Sequence, residues 1–141
     1  MGLVQASLLV VDDHQGVRFL LKEVLEQDGY QVRALAHGRD VMPEIKRDPP
    51  DVILLDWNLP GWQGWEVLVE LQNLSLQIPV ILLTGWADGE LFRRALEKEE
   101  VIGYLVKPFD LNDLKKMILK ALTVSPRSSL SGNKTDSLDI K

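Results

Sequence analysis

The feature that most constrains this chain is a set of short apolar runs, each stopped by a residue that carries chemistry. Residues 8–11 run into Asp12 and Asp13, residues 52–55 into Asp56, residues 79–83 into Thr84 and Gly85, and residues 102–106 into Lys107 and Pro108. Continuous β-branched and aliphatic runs of this length, bounded by turn residues, read as strands covered on both faces, the habit of parallel sheets. Between them the apolar spacing changes to that of helices. Val17, Leu20, Leu21, Val24 and Leu25 form a helical stripe closed by Asp28 and Gly29. Residues 30–35 supply a weaker strand, and residues 38–46 a short helix in which Pro43 is tolerable only near the first turn. Trp65, Leu68, Leu71 and Leu74 mark the next helix, and residues 88–98 another. Leu111, Leu114, Met117, Ile118 and Leu122 line the last, with Asp110 or Asn112 as its cap. Five strands alternating with five helices predict an α/β fold, a doubly wound parallel sheet, because crossover connections are nearly always right-handed.

At 141 residues and 45% hydrophobic content, the chain suits one domain with a real core. We expect that domain over residues 1–124. The composition then turns to Ser, Pro, Asn, Lys and Asp, which cannot bury enough surface to offset ordering entropy, so residues 125–141 read as a disordered tail or linker. A net charge of −5 gives no footprint for nucleic acid. The absence of cysteine removes disulfides, thiolate metal sites and cysteine nucleophiles together. No apolar run reaches membrane-spanning length, and the first residues lack a signal-peptide pattern. A cytoplasmic protein is expected.

In a parallel sheet the carboxyl ends of the strands share one edge, where open α/β sheets bind ligands. Asp12, Asp13 and Asp56 converging there would repel one another unless a cation sits among them, and carboxylate and carbonyl oxygens suit Mg²⁺. Lys107 and Thr84 around the same point complete a receptacle for a phosphoryl group. A central carboxylate can act as nucleophile and become an acyl phosphate.

At these residues the sequence resembles the receiver domains of bacterial two-component response regulators, over roughly residues 7–122. The matching motifs are Val10, Val11, Asp12 and Asp13; Leu55 and Asp56 through Asn58, Pro60 and Gly61; Leu83, Thr84 and Gly85; and Tyr104 with Lys107, Pro108 and Phe109. The resemblance implies a flavodoxin-like sheet with strand order 2-1-3-4-5. It implies Asp56 as phosphoacceptor, Mg²⁺ held by Asp13, Asp56 and the main-chain carbonyl of Asn58, and Asp12 contacting the metal through water. Thr84 would move to the phosphoryl oxygen, Lys107 would pair with it, and Tyr104 would report phosphorylation by its rotamer. Pro108 would follow a cis bond. The implied partners are a sensor histidine kinase or a histidine phosphotransfer protein, then a downstream effector or a missing output domain. A monomer or a phosphorylation-dependent dimer is implied, with no nucleic acid or membrane bound by this domain. Two positions depart from the family: Gln63 stands where an Asp is usual, and Glu100 and Val101 where a Gly-Ala pair is usual.

Each of these residues alone has a plainer reading. Asp12 and Asp13 could be a helix cap, Lys107 a solvated side chain and Thr84 a turn residue; only their joint placement favours a phosphoryl site. His14 is read as a surface residue opening the first helix, because a hard Mg²⁺ site does not want imidazole, and His37 as loop. Trp65 is read as core, while Trp57, Trp62 and Trp86 are read as a partner surface. Gly61 and Gly64 are turn residues rather than a phosphate-binding fingerprint. Two alternatives stand beside the receiver reading. A phosphatase of the haloacid dehalogenase type normally needs a second acid where this chain has Asn58. A degenerate receiver used only for docking would not need the intact set Asp13, Asp56, Thr84 and Lys107.

Overall fold

The computed structural model describes residues 5–74 and 76–124. In chain order the elements are β1 (Ser7–Val11), α1 (Gln15–Gln27), β2 (Gln31–Leu35), α2 (Val41–Arg47), β3 (Val52–Asp56), α3 (Gly64–Gln72), β4 (Val80–Thr84), α4 (Glu90–Leu96), β5 (Val101–Val106) and α5 (Leu111–Thr123). All strand pairs are parallel, in the order β2-β1-β3-β4-β5. The doubly wound sheet and its order are therefore as expected. The tail expected over residues 125–141 lies outside the described residues.

Alternation along the strands separates two cores. Leu9, Val11, Ile53, Leu55, Val80 and Leu82 face α2, α3 and α4, where Ile45, Leu68 and Phe92 meet them. Leu8, Val10, Val52, Leu54, Ile81 and Leu83 face α1 and α5, against Leu21, Leu25, Leu114 and Ile118. A fully buried Leu or Ile contributes about 2 kcal/mol relative to an exposed one, so these two layers hold the sheet's carboxyl edge in place.

Several expected boundaries move, each for a local reason. Residues 38–46 divide into a single 3-10 turn, Gly38–Asp40, and then α2, which puts Pro43 in the first turn of the α-helix. α4 is shorter than residues 88–98. Asp88 instead accepts from the amide of Gly89, whose φ of 105° starts the helix late, and its far end closes in turns at Glu97 and Lys98. β5 begins one residue early, at Val101, which pairs with Val80 before a register shift brings Gly103 opposite Ile81. That irregularity falls where the sequence departs from the family's usual pair. Leu20 leaves the α1 stripe and is 48% exposed beside Phe19, 70% exposed. Asp110, not Asn112, caps α5 by accepting from the Asn112 amide. Among the described residues no helix is long and apolar enough to cross a membrane.

Candidate functional site

The parallel ladder does not stop at the last strand residues, and this is what fixes the site. Asp12 donates its amide to Leu35, Trp57 to Leu83 and Lys107 to Thr84, at 2.7 to 3.0 Å. Each chain is thus held one residue beyond its strand. Val11 lies opposite Leu55, so the next step along both strands sets Asp12 beside Asp56, and Thr84 opposite Val106 sets Lys107 beside them. Arg18, from α1, reaches back to donate to the Asp12 carbonyl at 2.8 Å.

Asp12 and Asp56 are buried, and Asp13 stands at the lip. Lys107 Nζ donates to Asp12 Oδ2 at 2.6 Å and to Asp56 Oδ2 at 3.3 Å. The amide of Asn58 donates to Asp56 Oδ1 at 3.2 Å, while its side chain is exposed. Burial and then the neighbouring charge of Asp12 push the Asp56 carboxyl above its ordinary range, against the pull of Lys107 and the Asn58 amide. For Lys107, burial works against the ammonium, but the hydrogen bond to Asp12 and the charges of Asp56 and Asp12 outweigh it and raise its pKa. Three carboxylates against one ammonium leave the site too negative, the condition a divalent cation relieves. One donor atom each from Asp12, Asp13, His14 and Asp56 lies within 4.8 Å of the others. Its three carboxylates fit a hard divalent ion.

Thr84 and Tyr104 are close in the fold but not gathered onto the acids. The Thr84 hydroxyl is buried and closes a turn on Trp86, donating to its carbonyl at 3.0 Å and accepting from its amide at 3.1 Å. Tyr104 is 40% exposed and meets Phe92 edge-on at 5.3 Å between ring centroids. Phe92 meets Trp57 in the same way, also at 5.3 Å. An aromatic row therefore runs from the residue after Asp56 to Tyr104. The Lys107-Pro108 peptide bond is cis.

The partner surface read from three tryptophans is reduced to one. Trp57 is buried and Trp62 is partly buried against the same core as Trp65, so only Trp86, 73% exposed, stands free of it. Trp65 is core as expected, and also lies under Arg94 and Lys98 at 5.4 and 4.9 Å. The turn after Asp56 makes room for Trp57. Gly61 has φ of 80°, and a Cβ at Gly64 would come within 2.6 Å of the Trp57 ring. Gln63 still precedes a capped helix, because Glu66 accepts from its amide at 2.6 Å.

His14 is the clearest departure from the sequence reading. It does open α1, but its ring turns back onto the acids, with Nδ1 3.1 Å from Asp12 Oδ1 and 3.3 Å from Asp13 Oδ1. Arg18 is a site neighbour with no sequence signal beyond its place in the first turn of a helix beginning at the acids, and Phe92, read from the sequence only as an apolar position of the helix over residues 88–98, gains its contacts with Trp57 and Tyr104 from the fold.

Fold and site define a doubly wound α/β domain that gathers acids and a lysine at the carboxyl edge of its sheet. The family model described as "Response regulator receiver domain" matches residues 8–119, and the chain belongs to that family of signalling domains. It is 30% identical over 120 residues to the sporulation initiation phosphotransferase F of Bacillus subtilis, covering 85% of this chain and 96% of that one. It is 29% identical to the DNA-binding transcriptional regulator NtrC of Proteus hauseri, covering 84% of this chain but only 25% of that protein. Among solved structures, the chemotaxis protein CheY4 of Vibrio cholerae superposes with a TM-score of 0.73 at 30% identity, covering 84% of this chain and all of that one.

Proposed function

We propose that this receiver domain accepts a phosphoryl group from a phosphohistidine onto Asp56 and uses the change to switch a partner surface. The observation that carries the reading is the contact of Lys107 with both Asp12 and Asp56 in a cluster that still holds excess negative charge. Asp13, Asp56 and the Asn58 carbonyl would hold Mg²⁺, with Asp12 one water removed. An ion held by these residues would supply positive charge for the phosphoryl oxygens. An Asp56 oxygen attacks phosphorus and the P–N bond breaks, its electron pair leaving with the donor imidazole. The product is an acyl phosphate. Lys107 pairs with a phosphoryl oxygen, and the Thr84 hydroxyl exchanges Trp86 for another. Release of that turn frees the loop before α4, and the row through Phe92 couples it to Tyr104.

Water later attacks the same phosphorus, breaking the acyl bond and returning phosphate and carboxylate. The domain catalyses only its own modification and reversal, rather than turnover of a separate substrate. We infer a cytoplasmic domain over residues 1–124 that takes its phosphoryl group from a sensor histidine kinase or a histidine phosphotransfer protein. Its output goes to a separate effector or to an attached domain. The test is mass spectrometry after incubation with Mg²⁺ and a small phosphodonor. The parent should gain one phosphoryl group and Asp56→Asn none; a gain that survives the substitution would move the acceptor elsewhere.

A further inference from the structure

The position of His14 carries an inference that rests on the metal-site reading above and extends it. A helix N-cap is ordinarily a Ser, Thr, Asp or Asn whose side chain satisfies a free amide of the first turn. His14 holds the N-cap position of α1, with extended backbone (φ −86°, ψ 117°), and makes no such bond. Its amide donates to Asp12 Oδ1 at 2.9 Å, which folds the chain so that the ring lies over the acid pair. The ring buries nothing in either core, since it is 66% exposed, so packing does not account for its orientation.

The spacing of its nitrogen does suggest a role. Nδ1 stands 3.1 and 3.3 Å from one oxygen each of Asp12 and Asp13. Neighbouring ligands of a six-coordinate ion with bonds of about 2.1 Å lie roughly 3.0 Å apart. The 3.3 Å separation from Asp13, a direct ligand in the reading above, is close to that of a neighbouring ligand, while the 3.1 Å approach to Asp12 is a hydrogen bond that aims the ring at the site. Mg²⁺ gains little from imidazole, whereas the later first-row divalent ions gain much. The ring also lies on the solvent side, where an ion would otherwise keep a water.

We propose that His14 is a nitrogen ligand, through Nδ1, for a divalent transition ion at the acid cluster, so that this site prefers such ions to Mg²⁺ by more than carboxylates alone would give. Its neutral imidazole adds no charge and leaves Asp13 and Asp56 as the anionic ligands. The exposed ring can be removed without opening a core, so the substitution tests ligation and not folding.

The test titrates Mg²⁺ and Co²⁺ separately, as chlorides, into the parent, His14→Ala and His14→Asn, following tryptophan fluorescence, to which buried Trp57 beside Asp56 contributes. Mn²⁺ is then bound for pulsed EPR, which reads coupling of the ion to nitrogen. Loss of a ligand should weaken Co²⁺ about tenfold in both variants. Mg²⁺ affinity should change less than about twofold. Nitrogen coupling should appear in the parent and vanish in His14→Ala. If Mn²⁺ binds the parent without nitrogen coupling, or His14→Asn binds Co²⁺ as the parent does, His14 is only a hydrogen-bond partner of the acids and the proposal fails while the metal site stands. If the parent binds none of the three ions, the metal-site reading fails and takes the proposal with it.

Discussion

At the amino-terminal edge of the sheet, Glu44 lies between Arg33 and Arg47, and Arg33 also donates to the Asp48 carbonyl at 2.8 Å. The hydrogen bond from Arg47 leads the effects that hold the Glu44 carboxyl below its usual range; burial opposes it, and Arg33 adds to the lowering. At the carboxyl edge, Asp56 shares a single lysine with Asp12, and burial and repulsion push its carboxyl the other way. Both edges collect carboxylates beside cations, but one is neutralised within the protein and the other is left short of positive charge. On the function proposed above, that shortage is what would prepare the second edge to take up an ion and a nucleophile's work, at the expense of stability.

The largest blow to that contrast should come from removing the lysine that pairs with both buried acids at the carboxyl edge. Lys107→Ala leaves fully buried Asp12 without its 2.6 Å partner. We expect a loss of about 3 kcal/mol in urea unfolding with EDTA present. Mg²⁺ should restore part of it, because the ion supplies charge where the ammonium was. An unchanged midpoint in EDTA would mean that the acids are satisfied by solvent and that the edge carries no charge deficit.

The fold was legible in the sequence because the strands are buried on both faces, and a parallel sheet of this kind writes itself as unbroken apolar runs. Asp12, Asp56, Thr84 and Lys107 were legible as residues that stop such runs. What escaped was decided by direction rather than by residue type. Trp57 continues the alternation of Ile53 and Leu55 one step past the strand, onto the same face; following that period would have placed it inside. Leu20 obeys helical spacing and still faces solvent, since a stripe five residues wide overshoots the arc that the sheet covers. The turn of His14 onto the acids comes from the amide bond it makes to Asp12, which no periodicity encodes.

The two edges should also answer pH with opposite sign. Asp56 has a raised folded-state pKa, so its ionisation costs stability: the protein is favoured below the ordinary carboxylate value and loses that advantage as pH rises through the raised one. Asp56→Asn should therefore stabilise the ion-free protein at neutral pH, on the order of 1 kcal/mol. The gain should fade on acidification. Glu44 has a lowered folded-state pKa, so its contribution is present above the ordinary value and lost as pH falls through the lowered one. Glu44→Gln should lower the melting temperature at neutral pH, with the deficit fading in acid. Melting curves from acid to neutral pH in EDTA decide it, and two variants shifting in the same direction would abolish the distinction between the edges.

The smallest effect on stability should come from the rim of the carboxyl edge. Trp86 holds its place through backbone bonds to Thr84, which alanine would keep, and its side chain is 73% exposed. Trp86→Ala should change unfolding by no more than about 0.5 kcal/mol. Its consequence should be kinetic. An acyl phosphate on Asp56, as proposed above, would be lost when water reaches phosphorus, and we expect the exposed Trp86 indole, two residues from Thr84, to hinder that approach. We expect phosphate release from the phosphorylated protein to quicken several-fold in Trp86→Ala, and Trp86→Phe to fall between the two. An equal half-life in all three would show that the ring does not stand in the water's path, leaving its exposure to be explained by a docking partner.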